Sequence, residues 1–293
     1  MKTRTQQFNQ TALIFCAATS QLRRERVAME SFDLPTRIQY TLAEICGIVR
    51  EITHQQPPGS NAAGTNIIDL HGLILTHAQV QLIFWGSAWT EDVTPSAAAV
   101  YNAAQTLLSG PYMSKLSQYR GIGNGTMHGN LVIDPSDPPN PFSNDNVAQC
   151  ILRLIAAGKI SKPEDDQQIV YCVFLPVGVN FNQPNINGMH SYIYNAHSSF
   201  PLDVDLDKVL FAWVMNDGTL DSMTTIFSHE LVETCTNPDG NGFQVTPLNP
   251  NSWNEIGDVC EGNTGILNNV TVQAYWSQVD GNCVIPGLLE DKV

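Results

Sequence analysis

Three side chains in the run Ser228-His229-Glu230-Leu231-Val232-Glu233 have the types and spacing to do chemistry together. On a helix of about 3.6 residues per turn, positions i and i+4 share a face. His229 and Glu233 therefore project side by side, with Glu230 roughly 100° round the axis. An imidazole and a carboxylate on one face are donors that a divalent cation accepts. A second carboxylate beside them is the base that hydrolysis by an activated water requires.

The usual zinc-hydrolase helix reads His-Glu-x-x-His; here the second His is Glu233. Zinc takes carboxylate oxygens as well as imidazole nitrogens. The exchange adds negative charge at the ion, which makes a bound water less acidic than in a three-His site. The same spacing also describes a plain amphipathic helix with a solvated acidic face. The elements around the run favour a supported helix. Thr219 or Asp221 can cap its start, and Leu220, Met223, Phe227 and Leu231 form a buried stripe at steps of three and four. Thr236-Asn237-Pro238-Asp239-Gly240 stops it with a turn.

A third ligand must return from elsewhere. The run Trp253-Asn254-Glu255-Ile256-Gly257-Asp258-Val259-Cys260-Glu261 offers Glu255 and Asp258. Glu255 is the first choice, with Asp258 orienting a ligand or serving as the ligand itself; a solvated acidic turn is the plain reading. The Asn-Glu-x-x-Asp order resembles the second motif of gluzincin peptidases, where the Glu binds the ion and a nearby Asp orients a ligating His. Asn237, Asp239 and Asn241, with glycines between, read like the first half of a calcium loop. The closing acid is missing, since Leu248 stands at that place.

Taken together, Ser228–Phe243 and Glu255–Cys260 resemble microbial proteins distantly related to the plant exordium (phosphate-induced) family. Val80–Trp89, a strand ending in aromatic-Gly-x-x-Trp, and Gly188-Met189-His190-Ser191 are similar to further segments of that family. The resemblance spans roughly residues 80–286 and implies a zincin-like, metalloprotease-related fold. Plant members lack the His-Glu pair, so the fold alone does not imply hydrolysis.

The elements needed to position these residues are legible as an α/β (α+β) arrangement. Strands are expected at Val80–Trp85, near His128–Ile133, and at Gln168–Leu175, Met189–Asn195 and Val209–Met215; helices are expected from Pro95 and over Asn146–Ala157. This order suits a twisted mixed sheet with packed helices, the metal helix following the last core strand. In the zincin-like plan an antiparallel strand lies along the substrate, and Met189–Asn195 fits that place. A peptide could add to its edge, and His190 at its start is either an oxyanion-stabilising group or a structural histidine.

Upstream, Ile38, Leu42, Ile45, Val49 and Ile52 mark a helical extension over residues 1–60. The linker-like run Gln55–Gly64 leads to a metal-binding domain over 61–293. Lys2, Arg4 and the apolar run Ala12–Ala18 resemble a signal peptide, or equally a short packed element, so secreted and cytoplasmic locations both stay open. Of seven cysteines none forms a Cys-x-x-Cys pair; Cys260 and Cys283 can bridge if the chain is exported.

A net charge of −14, from 28 acidic and 14 basic residues, disfavours nucleic acid and anionic membrane as partners. No apolar run reaches the length of a membrane span. The residues point to a zinc-dependent metallopeptidase in which His229, Glu233 and Glu255 or Asp258 hold Zn2+ and Glu230 is the base. The alternative is a non-catalytic peptide- or glycan-binding protein with a structural Ca2+ near Asn237, Asp239 and Asn241, or with no metal.

Overall fold

The computed structural model describes residues 64–163, 168–194, 208–248 and 254–288. The helical extension, the signal-like run and most of the linker lie outside the described residues. The chain enters through β1 (Asn66–Asp69), followed by β2 (Gln79–Trp85), α1 (Ala97–Ser109), a 3-10 segment over Pro111–Gln118, β3 (Thr126–Met127), β4 (Val132–Asp134) and α2 (Asn144–Ala156). Then come β5 (Ile169–Phe174), β6 (Gly188–Tyr194), β7 (Lys208–Val214) and α3 (Leu220–Thr236). The chain closes with β8 (Phe243–Thr246), β9 (Thr264–Leu267), β10 (Val270–Gln273), β11 (Tyr275–Ser277) and β12 (Asn282–Val284).

The main sheet is mixed, in the order β3-β2-β5-β7-β6, with β4 also on β2. β2, β5 and β7 are parallel, and β6 runs antiparallel to β7 at one edge. The three central strands read as apolar runs rather than alternating ones because both faces of the sheet are covered. Leu82, Phe84, Cys172, Phe174, Ala212 and Val214 pack with α1 and α3 on one face. Ile83, Trp85, Tyr171, Val173, Phe211 and Trp213 pack with α2 on the other. The architecture is therefore mixed α+β with helices on both faces of the sheet. The region expected as one strand near His128–Ile133 is two short ones, broken at Gly129, whose φ of +64° lies in the left-handed region that favours glycine.

α3 begins where the caps predict: the Thr219 hydroxyl accepts the Ser222 N–H at 3.2 Å. Its polar residues Asp221, Thr224 and Ser228 recur at steps of three and four, and this stripe is fastened to β10. Thr224 Oγ1 donates to the Thr271 carbonyl at 2.7 Å, Thr271 Oγ1 donates to Asp221 Oδ1 at 2.7 Å, and the Gln273 N–H donates to Ser228 Oγ at 2.9 Å. Such bonds contribute about 1 kcal/mol each, and together they fix the helix along the strand that also carries Gln273.

Cys260 and Cys283 form a disulfide joining the 3-10 turn Asp258–Cys260 to β12. Closing a loop of this length restricts the unfolded chain by about 3 kcal/mol. Reduction, or Cys283→Ser, should therefore lower Tm by roughly 6–12 °C for a domain of this size. Because the bridge anchors the turn that carries Asp258, the same change should weaken metal binding. An unaltered Tm after verified reduction would contradict the bridge's part in holding this region.

Candidate metal centre

α3 carries His229, Glu230 and Glu233 to one end of a buried cluster. His229 Nε2 lies 3.1 Å from Glu233 Oε2 and 3.8 Å from Asp258 Oδ1. The Asp258 N–H donates to Glu233 Oε1 at 3.1 Å, which ties the returning turn to the helix. His190 enters from β6. Strand alternation turns Met189 and Ile193 toward α2 and His190 toward α3. Its Nδ1 is 3.4 Å from Glu230 Oε2 and 3.8 Å from Glu233 Oε2. Its Nε2 is 3.4 Å from Glu255 Oε1 and 3.3 Å from the Asn237 carbonyl oxygen.

Two overlapping donor sets result: His229, Glu233 and Asp258, and His190, Glu233 and Glu255, each with its donor atoms within 4.8 Å of one another. Glu255 and Asp258, between which the sequence left the third ligand open, go to different imidazoles. His190, Glu233 and Glu255 are buried. The His229 and Asp258 side chains keep 16% and 10% of their surface exposed. With Glu230, they line a cavity of about 140 Å³ whose other walls include Asn187, Gly188, Glu261 and Gln273. A groove of about 1040 Å³ along Asn180–Asn187 shares Asn185, Ile186, Asn187 and Glu261 with it. His190, read as an oxyanion group or a structural histidine, is not among the cavity's lining residues; both its ring nitrogens face acceptors inside the cluster.

The donors fit a cation. Buried carboxylates are ordinarily paired or bound to metal. Among the described residues, no Lys or Arg pairs with Glu230, Glu233, Glu255 or Asp258; their ionic partners are the two imidazoles. Glu233 Oε2 and Glu255 Oε2 are buried and accept no hydrogen bond. Burial pushes the carboxyls of Glu233 and Asp258 upward, and neighbouring carboxylates add to the rise. Burial opposes the charged forms of His190 and His229, but the carboxylates around them overcome it and hold both imidazoliums well above the usual range. The ion-free cluster thus retains protons where a cation would supply charge.

That sets a sign for pH. A folded-state group with a raised pKa binds more protons than its unfolded counterpart, so its contribution to stability falls as pH rises. All four groups act in this direction. The ion-free chain should therefore unfold at a lower temperature at pH 8 than at pH 5.5. Metal ligands must shed protons, so stabilisation by a bound ion should grow over the same interval. Thermal unfolding at both pH values, with chelator and then with added zinc, measures the crossing; parallel curves would contradict the coupling.

Gln273, Gly257 and Asn237 support the donors, and nothing in the spacing of the motif marked the first two. Gln273 Nε2 donates to the Gly257 carbonyl at 3.0 Å and sits 2.7 Å from His229 Nδ1. For Nε2 to take a cation the proton must sit on Nδ1, which calls for the Gln273 oxygen at that position. Asn237 Nδ2 donates to Glu255 Oε1 at 2.6 Å. A Cβ at Gly257 would stand 2.6 Å from Glu233 Oε1 and 2.9 Å from His229 Nδ1. Gly257→Ala should consequently displace donors of the more open set and lower metal affinity about 10–100-fold, the range for supporting groups. Unchanged affinity by calorimetric titration would argue against these donors.

The loop read as half a calcium site is otherwise engaged. Asp239 Oδ2 receives the Lys208 ammonium at 2.5 Å, Asp239 Oδ1 accepts the Asn241 N–H, and Asn237 Oδ1 accepts the Gly242 N–H. Lys208 is the cation this loop is paired with.

Comparison of the chain with protein-family models, curated proteins and solved structures yields no match.

Proposed function

We propose that the chain is a zinc-dependent hydrolase of the peptidase class, built on a zincin-like plan. The observation that carries this reading is that His229, Asp258 and Glu230 line one cavity, with the buried Glu233 clustered behind His229 and Asp258. One imidazole and two carboxylates are ligand types that zinc accepts, and a further carboxylate stands beside them as a base. The buried Glu233 Oε2, which faces His229 Nε2 at 3.1 Å without a hydrogen bond, lies within this set. When bound there, zinc polarises a carbonyl and makes water a stronger nucleophile near neutral pH.

The remaining work belongs to the protein. Glu230 accepts the proton that the attacking water sheds and passes it to the leaving amine. Gly188 leaves room for this carboxylate, since a Cβ there would come within 2.7 Å of Glu230 Oε1. The burial of Glu230 limits bulk water around the proton it carries. The adjoining groove offers Asn182, Gln183, Asn185 and Asn187, whose amides both donate and accept and so match a peptide backbone. β6 lies at the edge of the sheet, with no strand on its outer side among the described residues. A peptide could extend the sheet there by main-chain hydrogen bonds.

Parallel central strands, an antiparallel edge strand and the donor helix on the same face as His190 support the zincin-like plan, as does the resemblance of Ser228–Phe243 and Glu255–Cys260 to exordium-related proteins. The test is cleavage of a peptide library followed by mass spectrometry. Cleavage should stop when the protein is stripped with chelator and return with zinc. Peptides that are bound but left intact by the zinc-loaded protein would replace this reading with the non-catalytic one.

A further inference from the structure

We infer that the cluster takes two divalent cations, the second enclosed by His190, Glu233 and Glu255, with Glu233 shared between them. The hydrolase reading needs only the ion on the cavity side; this inference concerns the set behind it and stands without hydrolysis.

Glu233 is the hinge of the argument. Its Oε1 is occupied by the Asp258 N–H, so Oε2 is the atom left to face both imidazoles, at 3.1 Å from His229 Nε2 and 3.8 Å from His190 Nδ1. That oxygen is buried and accepts no hydrogen bond. Glu255 repeats the pattern independently. It is only 2% exposed, its Oε1 lies beside His190 Nε2, and its Oε2 is buried without a hydrogen bond. One ligand atom from each of His190, Glu233 and Glu255 lies within 4.8 Å of the others.

Charge favours two ions over one. Glu230, Glu233, Glu255 and Asp258 bring four negative charges to a region where, among the described residues, only imidazoles pair with them. One divalent ion on the cavity side offsets two of those charges and a proton on His190 a third, whereas two ions match all four with both imidazoles neutral. Two ions that share ligands typically lie about 3.5–4 Å apart. A nitrogen donor with carboxylates favours a first-row transition ion such as Zn2+ or Mn2+ over Ca2+ or Mg2+. The rival occupant of the same space is a proton on His190.

The full chain, loaded separately with Zn2+ and Mn2+ and exchanged into metal-free buffer, decides between them by elemental analysis. Two ions per wild-type chain are expected, and one in each of His190→Gln, Glu255→Gln and His229→Ala. The Mn2+-loaded wild type should give an exchange-coupled electron paramagnetic resonance spectrum. That coupling should disappear in all three variants. One ion per wild-type chain, or two in folded His190→Gln, would overturn the inference. The wild-type count and coupling decide it even where a variant fails to fold. One ion lost with His229→Ala but kept in His190→Gln removes the second site and leaves the hydrolase reading. Two coupled ions without peptide cleavage uphold the second site and remove the hydrolase reading.

Discussion

Glu230→Gln is expected to lower kcat by about 10²–10⁴, the range for loss of a positioned acid–base group, with metal content unchanged. Glu230 lines the cavity beside His229 and Asp258 but belongs to neither set of clustered donors. Glutamine keeps its shape and hydrogen-bonding reach while losing the ability to accept a proton at pH 7. Gly188, which has no Cβ to crowd Oε1, leaves the same room for an amide as for a carboxylate. The folded state should therefore be disturbed little. A variant with full activity would remove Glu230 from the chemistry. One that loses metal and activity together would make it a ligand instead.

Glu233→Gln should have opposite effects on the ion-free and ion-loaded protein. Without an ion, Glu233 is a buried carboxyl raised by burial and by its neighbours Glu255 and Glu230, although His229 pulls the other way. Removing its charge relieves that repulsion, so the stripped variant should melt above stripped wild type at pH 8. With an ion, wild type gains about 2.7 kcal/mol when free metal is a hundredfold above Kd. That is roughly 5–10 °C in a domain of this size. Glu233 belongs to both donor sets, so the variant should lose most of this gain. Calorimetric scans of both proteins, stripped and zinc-loaded, test the reversal. A variant that melts below wild type in both states would mean that Glu233 is only a structural bond to the Asp258 N–H.

The helix carrying the donors was legible because three local signals agree over Thr219–Asn237: a capping hydroxyl, an apolar stripe and a proline-containing stop. The central strands were legible from their apolar runs, since a sheet covered on both faces leaves little alternation to misread. β1 and the strands after α3 were not, because segments of three or four residues such as Tyr275–Ser277 owe their pairing to partners across the chain rather than to their own composition.

At the site, the i, i+4 spacing correctly put His229 beside Glu233. It could not say that Glu255 and Asp258 would be divided between two imidazoles. That depends on the turn at Gly257, which lets the backbone pass against Glu233, and on the strand alternation that turns His190 inward. Asp239 and its neighbours had calcium-loop spacing, but spacing alone does not reveal that Lys208 reaches Asp239 Oδ2.

The central claim, that His229, Glu233 and Asp258 grip a zinc ion at the cavity, is tested most directly by elemental analysis of full-length protein purified with neither chelator nor added metal, wild type beside His229→Ala. The account predicts bound zinc in wild type and one fewer zinc per chain in the variant. Wild type devoid of transition metal, or equal zinc in the two proteins, would contradict it.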